Sequence, residues 1–387
     1  MFETRRIRTL SKFPGPLLTA YLKTSPEDRS LHPPVHSCLA WLKKEAGTLA
    51  GRLAREESEA FLEQLRRLEE FLRDRTPRER SVVVFAGPRL WEAVGLQVEV
   101  ENELQWGKAA VTQLLWLAAE HKLYGIVSVD RSGAQIFSYR LGEMSRLLET
   151  KFEVDISQWK KKDRAHVARP GIRETHGAQR DVFDHRMDAQ YRRLSREVAE
   201  QIIQLSKQAK FSAVFLAGPE RLTAPIAGRL PTELFPRVVW VHKDLGRVEP
   251  NELQKHLEPE IEKWEETNEA TLVNELLGDE RGAVAGIEEV LAELQSGAAR
   301  TVTVCRDLDA RVYRCDACGY TSYSADRVCS VCRGVQSAVA LREALPELAA
   351  AFDAEIEVVS GEAAAKLKQA GGAAAWLRQP RRVLTHV

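Results

Sequence analysis

The sequence lacks an excess of charge of either sign and lacks any long apolar run. Lysine and arginine together number 56, as do aspartate and glutamate, so the formal net charge is zero. A contact with RNA would therefore need a local basic patch rather than a field around the whole protein. No run is long enough to span a bilayer, and the opening Met1-Phe2-Glu3 is not typical of a secretory signal. We expect a cytoplasmic protein with no membrane partner.

Cysteine is also scarce, and its spacing argues against a disulfide framework. Four of the six cysteines form two Cys-x-x-Cys pairs: Cys315, Cys318, Cys329 and Cys332. Two tight turns that each present two thiolates supply tetrahedral sulfur ligation, so the sequence predicts a structural Zn²⁺ site with no open coordination position. Unpaired or redox-active thiols are the alternative. Gly319 and Gly334 follow the pairs, where we expect an unusual φ. Cys38 and Cys305 have no partner at ligand spacing, and we expect them in the core.

The length of 387 residues exceeds what one hydrophobic core usually serves. Alternating helical and strand patterns favour an α/β protein with mixed sheets flanked by helices. We predict three domains, namely an N-terminal α/β domain, a middle domain and a C-terminal αβα domain: residues 1–121, 122–248 and 249–387. The zinc ribbon is expected as an insert at about residues 313–335 of the last domain.

The N-terminal third gives little information about function. A helical pattern covers residues 34–75, and apolar runs predict strands at residues 81–86 and near residues 96–100, followed by a helix at residues 108–120. No nucleotide-binding fingerprint or catalytic triad occurs in it. Its specific role cannot be inferred from these patterns.

A cation-rich segment precedes a tripeptide of Gly177, Ala178 and Gln179. The candidate RNA-binding residues are Trp159, Lys160, Lys161, Lys162, Arg164, His166, Arg169, Arg173, His176 and Arg180. Cations that follow a phosphate backbone, together with a stacking aromatic ring, are typical of RNA contact. After the tripeptide, apolar residues recur every three or four positions and predict an amphipathic helix, whose N-terminus favours negative charge. On composition alone, a solvated surface is the alternative.

The sequence HGAQRDVFDHRMDAQYRRLSREVAEQI resembles the Gly-Gly-Gln loop and following helix of archaeal and eukaryotic class-1 peptide release factors. The preceding LYGIVSVDRSGAQIFSYRLGEMSRLLETKFEVD is similar to the hairpin strands that open the family's middle domain. The resemblance extends over residues 122–378. The related rescue protein Pelota shares much of this architecture without the tripeptide. Two departures matter: Ala178 replaces the second glycine, and the N-terminal third lacks the Asn-Ile-Lys-Ser motif of stop-codon readers.

The resemblance implies a factor that occupies the ribosomal A site and contacts rRNA and peptidyl-tRNA, with a C-terminal domain that meets a translational GTPase. It also implies that Gln179 lies at the peptidyl-transferase centre, where an amide faces the oxyanion of the hydrolysed ester. A Cβ at Ala178 costs about 1–2 kcal/mol if the backbone there must be left-handed, so we expect weak or no hydrolysis.

Without a codon-reading motif, stalled or hibernating ribosomes are the expected target. Two alternatives stay open: an active hydrolase of peptidyl-tRNA, and an RNA-binding scaffold outside the A site. No DNA partner is expected.

Overall fold

The chain divides into two compact units. One consists of Met1–His121 with Glu265–Val387, and the other consists of Lys122–Trp264. The structure is a computed structural model that describes residues 4–24, 34–74, 79–151, 176–243, 245, 248–326 and 328–381, and for residues 4, 5, 8, 11, 34–37, 176–188 and 235 it describes the backbone alone. Among the helices in these ranges, none is long and apolar enough to cross a membrane.

The N-terminal part of the first unit is an antiparallel sheet in the order β3-β2-β1-β4, covered by helices. Its elements are α1 (Thr4–Ser11), β1 (Leu17–Lys23), α2 (Pro34–Ala50), α3 (Arg55–Asp74), β2 (Ser81–Gly87), β3 (Leu90–Leu96), β4 (Glu103–Gly107) and α4 (Thr112–Glu120). Leu42 of α2 and Phe61 of α3 pack on the sheet and are fully buried. The strand predicted near residues 96–100 is wrong, because β3 ends at Leu96. Glu92 and Gly95, two residue types depleted in strands, obscure its pattern in the sequence.

The second unit is a five-stranded mixed sheet in the order β7-β6-β5-β8-β9. Its elements are β5 (Tyr124–Asp130), β6 (Gly133–Arg140), β7 (Glu143–Lys151), α5 (His176–Ala209), β8 (Ala213–Ala217), α6 (Glu220–Ala227), β9 (Val238–Val241) and residues 250–264 of α7 (Pro250–Gly278). Strands β5, β8 and β9 are parallel, whereas β5, β6 and β7 form antiparallel hairpins. The predicted turn between β5 and β6 is confirmed, and a Cβ at Gly133 would collide with the carbonyl oxygen of Thr150.

Helices cover both faces of this middle sheet. On one face, α5 contributes the buried residues Leu194, Val198 and Ile202, which lie beside Leu222 and Ile226 of α6. On the other face, Leu253, Leu257 and Ile261 of α7 pack against the sheet. The amphipathic helix predicted after the tripeptide is therefore confirmed where its side chains are described.

The C-terminal part of the first unit is an αβα sandwich, as predicted. Its elements are β10 (Ala283–Ala285), α8 (Ile287–Gln295), β11 (Ala299–Cys305), β12 (Arg311–Cys315), β13 (Thr321–Ser322), β14 (Gln336–Ala340), α9 (Leu341–Ala351), β15 (Glu355–Val359), α10 (Gly361–Gln369) and β16 (Ala373–Leu377). The main sheet has the order β10-β16-β11-β15, with α8 and α9 on one face and α10 with the end of α7 on the other. Strands β13-β12-β14 form a separate small sheet. We call residues 311–340 the ribbon, and it is inserted between β11 and α9.

Helix α4 contributes to the core of the C-terminal sheet, although the sequence assigns it to the N-terminal domain. Trp116 is 2% exposed and belongs to the same buried cluster as Leu345. The guanidinium of Arg342 lies 5.1 Å from the centre of its ring. Arg306, which follows β11, forms an ion pair with Glu120 at 2.6 Å. These contacts join the N-terminal and C-terminal parts of the first unit.

Candidate functional site

The tripeptide lies at the beginning of α5. The helix begins at His176, so Gly177, Ala178 and Gln179 belong to its first turn. The sequence had suggested that the helix begins only after the tripeptide. The first N–H groups of a helix have no acceptor within the helix, and the helix dipole is positive at this end. Backbone amides at this end of α5 can therefore bind an anionic group.

The helical conformation of the tripeptide determines whether Ala178 strains the backbone. An α-helical residue has a negative φ, so the left-handed strain considered from the sequence does not arise in this conformation. Alanine instead has a higher helix propensity than glycine. In this structure Ala178 therefore stabilises the helical form of the tripeptide.

The second unit holds α5 firmly beyond the tripeptide. Leu194, Val198 and Ile202 anchor it on the sheet. The hydroxyl group of Thr150, near the end of β7, lies 3.0 Å from Oε1 of Gln201 and donates a hydrogen bond to it. The end of β7 and the body of α5, which flank the cation-rich segment in the sequence, are thus fixed to each other. We call that segment, residues 159–173, the basic segment.

The structure describes two of the ten candidate RNA-binding residues, and it describes these two by their backbone alone. Eight lie outside the described residues: Trp159, Lys160, Lys161, Lys162, Arg164, His166, Arg169 and Arg173. The backbone of His176 and of Arg180 belongs to α5. Their contact with RNA stays a prediction.

The ribbon brings the four paired cysteines together. The sulfur atoms of Cys315, Cys318, Cys329 and Cys332 all lie within 4.8 Å of one another. Two of the separations are 3.4 Å (Cys315 to Cys332) and 3.7 Å (Cys318 to Cys329). A disulfide requires about 2.0 Å, whereas tetrahedral ligation with metal–sulfur distances of about 2.3 Å places sulfur atoms about 3.8 Å apart. The arrangement fits a metal ion and can hold one.

The two knuckles that carry these cysteines have the same hydrogen-bond pattern. In the first, the amides of Gly319 and Cys315 donate to the carbonyl oxygens of Cys315 and Tyr320, at 2.9 and 2.8 Å. In the second, the amides of Arg333 and Cys329 donate to those of Cys329 and Gly334, at 3.0 and 2.9 Å. Gly319 and Arg333 are therefore equivalent positions, four residues after the first cysteine of each pair.

This equivalence confirms one glycine prediction and corrects the other. Gly319 has a φ of +75°, as expected, but in the second knuckle the positive φ belongs to Arg333, at +62°. Gly334 serves a different purpose. A Cβ there would lie 3.0 Å from Sγ of Cys315 and 3.3 Å from Sγ of Cys332, so glycine leaves room for the sulfur atoms.

Backbone amides also favour the thiolate form of one ligand. Hydrogen bonds from the backbone of Cys318, and then of Ala317, lower the pKa of the Cys315 thiol to about 6. At Cys318 the backbone of Tyr320 lowers the pKa, but the neighbouring thiols outweigh it and raise the value to about 12. The Cys315 thiol therefore ionises readily, whereas the Cys318 thiol beside it resists a second negative charge. A bound cation relieves this repulsion.

The ribbon is attached to the C-terminal sheet by contacts that the sequence did not reveal. The side chain of Gln295, at the end of α8, accepts from the amide of Thr321 at 2.8 Å and donates to its carbonyl oxygen at 2.7 Å. Arg314 of β12 pairs with Glu347 of α9 at 2.7 Å. No local pattern could have identified these pairs, because their partners lie 26 and 33 residues apart.

The two remaining cysteines are core residues, as predicted. Cys38 and Cys305 are buried, and burial raises the pKa of each thiol to about 11. The thiol of Cys305 lies 3.3 Å from the carbonyl oxygen of Ala364 and donates to it. Neither thiol is part of the metal-binding group.

Residues 110–253 match the family model of bacterial archaeo-eukaryotic release factor family 10. This segment includes the tripeptide, all of α5 and the sheet of the second unit. No curated protein matches the chain.

Three solved structures are similar to the chain along much of its length. The archaeal translation termination factor aRF1 has 18% identity and a TM-score of 0.25, with 97% of this chain and 96% of that chain covered. An archaeal Pelota, in a model with ABCE1 on the ribosome, has 14% identity, coverages of 97% and 95%, and a TM-score of 0.41. Dom34 of S. cerevisiae, a translation termination-like factor involved in RNA quality control pathways and interacting with Hbs1, has 11% identity, coverages of 79% and 82%, and a TM-score of 0.39. All three TM-scores are below 0.5, so the family match, rather than these likenesses, supports a function.

Proposed function

We propose that this chain, a release-factor/Pelota-like protein, is a translation factor that enters the ribosomal A site of stalled or idle, hibernating ribosomes. The observation that carries the proposal is the family match over residues 110–253, which contains the tripeptide and its helix. The absence of a codon-reading motif favours rescue or hibernation over ordinary termination. A protein that acts on ribosomes would be located in the cytoplasm.

In this proposal the basic segment contacts rRNA, and the first turn of α5 reaches the peptidyl-transferase centre. Lys160, Lys161 and Lys162 would neutralise phosphates, which releases counterions and makes binding depend on salt. The amides at the beginning of α5 have the polarity that an ester oxyanion requires. Gln179 is the residue that would face peptidyl-tRNA.

We further propose that hydrolysis of peptidyl-tRNA is weak or absent. Ala178 carries a methyl group where the related release factors have glycine, and it favours the helical first turn in which this structure holds the tripeptide. A backbone amide displaced from the oxyanion typically lowers a rate by about 10²–10³. Binding, which is spread over a much larger surface, should survive the same change.

We propose that the metal of the ribbon is Zn²⁺ and that its role is structural. Four sulfur ligands at these separations suit zinc and leave no open coordination position for a substrate. The site would hold the two knuckles together. A translational GTPase that meets the C-terminal part is also proposed, on the family resemblance alone.

Release of labelled peptide from ribosomes that hold peptidyl-tRNA tests this function. We expect little release by the wild-type protein, more by Ala178→Gly, and none by Gln179→Ala. Co-sedimentation with ribosomes should be similar for all three proteins, because the substitutions change the tripeptide alone. Failure of the wild-type protein to sediment with ribosomes would refute A-site binding.

The alternative function is an active peptidyl-tRNA hydrolase that rescues ribosomes. The retention of Gly177 and Gln179 favours it. Rapid release by the wild-type protein that is lost in Gln179→Ala would establish this alternative and refute the proposal of weak hydrolysis.

A further inference from the structure

Two of the four paired cysteines are exposed to solvent. Cys318 and Cys332 are exposed, whereas Cys315 and Cys329 are only 2% and 0% exposed. The exposed residues are the second cysteines of the two knuckles, so each knuckle presents one cysteine to solvent and buries the other. A small oxidant in solution can therefore reach one cysteine of each knuckle.

Each exposed cysteine lies close to a buried cysteine of the other knuckle. The sulfur atoms of Cys332 and Cys315 are 3.4 Å apart, and those of Cys318 and Cys329 are 3.7 Å apart. A disulfide requires about 2.0 Å, so the sulfur atoms of each pair would have to approach by less than about 2 Å. Rotation of a cysteine side chain between staggered rotamers moves its sulfur atom farther than this. Each exposed cysteine thus has a neighbour with which it can form a disulfide.

The exposed cysteines are thiolates when they bind zinc, because a thiol that coordinates a metal ion is deprotonated. The thiolate is also the form that reacts with peroxide. Cysteines that sense oxidants are accessible thiolates with a second cysteine beside them. Cys318 and Cys332 combine these three properties in the zinc-bound ribbon.

The two cysteines outside the ribbon have the opposite environment. Cys38 and Cys305 are 2% and 0% exposed, and burial raises the pKa of each thiol to about 11. Both therefore remain protonated and shielded from solvent. They provide an internal reference against which selective oxidation of the ribbon can be measured.

We infer that Cys318 and Cys332 are sites of oxidation by hydrogen peroxide, and that oxidation exchanges the bound zinc for a disulfide between each of them and its buried neighbour. The inference rests on the proposed zinc site and makes the ribbon a reversible redox switch. Disulfides of cytosolic proteins are usually transient, and many of them sense oxidants. A switch of this kind agrees with the proposed cytoplasmic location.

The reaction balances with peroxide as a two-electron oxidant. The thiolate of Cys332 attacks one oxygen atom of peroxide, the O–O bond breaks, and the products are a sulfenic acid and hydroxide. The thiolate of Cys315 then attacks the sulfur of the sulfenic acid, forms the S–S bond and expels a second hydroxide. The two sulfur atoms have lost two electrons, and both hydroxides take up protons from the buffer to become water.

A second peroxide molecule joins Cys318 to Cys329 by the same two steps. The thiolate is the form of cysteine that ligates a metal ion, so a disulfide no longer holds zinc. Oxidation therefore releases Zn²⁺, and reduction of the disulfides restores the ligands.

The first test adds hydrogen peroxide to full-length, zinc-loaded protein. A colorimetric zinc indicator should detect release of about one Zn²⁺ per chain, because the four sulfur ligands of one tetrahedral site are lost together. Peptide mapping by mass spectrometry should find each exposed cysteine joined to its buried neighbour, with Cys38 and Cys305 still free thiols. Dithiothreitol and added Zn²⁺ should then restore zinc binding.

The second test uses a variant that keeps the metal but removes the exposed thiolates. Cys318→His/Cys332→His leaves two cysteines and two histidines, a ligand set that also forms structural zinc sites. We expect its zinc release to slow by about tenfold or more, since oxidation follows thiolate character and exposure. Cys38→Ala is the matched control, because it removes a buried cysteine outside the ribbon. It should release zinc at the wild-type rate.

Three results would overturn the inference while the zinc site stands. They are zinc that stays bound in excess peroxide, zinc release with sulfinic or sulfonic acids but no disulfide, and zinc release from the double variant at the wild-type rate. If the double variant does not bind zinc, the peptide map of the wild-type protein decides the question. Untreated wild-type protein without zinc would refute the proposed metal site, and the inference with it.

Discussion

Replacing Gly334 with alanine tests whether the four sulfur atoms are arranged for a metal ion. A Cβ at this position would lie 3.0 Å from Sγ of Cys315, 3.1 Å from Cβ of Ala317 and 3.3 Å from Sγ of Cys332. Gly334 is not among the glycines with a positive φ, so alanine causes no backbone strain there. The effect of the substitution therefore comes from these contacts.

The expected loss of zinc affinity depends on how far the sulfur atoms can be displaced before the metal site is distorted. Non-bonded carbon atoms prefer separations of about 3.5–4.0 Å, so the new methyl group would push the sulfur atoms outward by a few tenths of an ångström. Metal–sulfur distances tolerate changes of only about 0.2 Å. Overpacking of this kind typically costs about 1–3 kcal/mol, which corresponds to zinc affinity about five- to 150-fold weaker.

Competition with a zinc chelator of known affinity measures the effect. Wild-type protein should carry about one Zn²⁺ per chain, because four sulfur ligands complete one tetrahedral site, and Cys315→Ser, which lacks a ligand, sets the lower limit. Gly297→Ala is the control for backbone strain. Gly297 has a φ of +78°, a methyl group added there would have nothing within 4 Å, and the residue follows α8, outside the ribbon. This substitution should lower Tm without changing zinc affinity.

Two outcomes would refute this reasoning. Wild-type zinc affinity in Gly334→Ala would show that the space at Gly334 is not needed by the sulfur atoms. Equal loss of zinc in Gly297→Ala would show that zinc affinity depends on general stability instead of local geometry.

Two further predictions concern the basic segment and the core of the first unit. Replacing Lys160, Lys161 and Lys162 with alanine should weaken ribosome co-sedimentation and reduce its salt dependence, because fewer counterions are released; unchanged sedimentation across a salt series would contradict this. Trp116→Ala should lower the free energy of unfolding of the first unit by about 3–5 kcal/mol, measured by denaturant titration, because it empties a large buried volume. A loss below about 1 kcal/mol, typical of surface substitutions, would show that Trp116 is not part of that core.

Local patterns in the sequence determined several parts of this protein. The cysteine spacing identified the four residues that the ribbon brings together. The recurrence of apolar residues every three or four positions identified the buried face of α5, which carries Leu194 and Val198. The turn before Gly133 was readable because a short hairpin depends on adjacent residues. Each of these features is set within a few neighbouring positions.

Tertiary structure decided the features that depend on residues far apart in the chain. Trp116 packs with Leu345 because α4 lies on the C-terminal sheet, and no periodicity in α4 specifies that surface. Gln295 holds Thr321 across 26 residues. Gly334 is glycine because two sulfur atoms from different knuckles approach it, whereas the sequence offered only a backbone reason. Steric crowding and burial arise only when distant segments meet, so the sequence pattern alone could not reveal them.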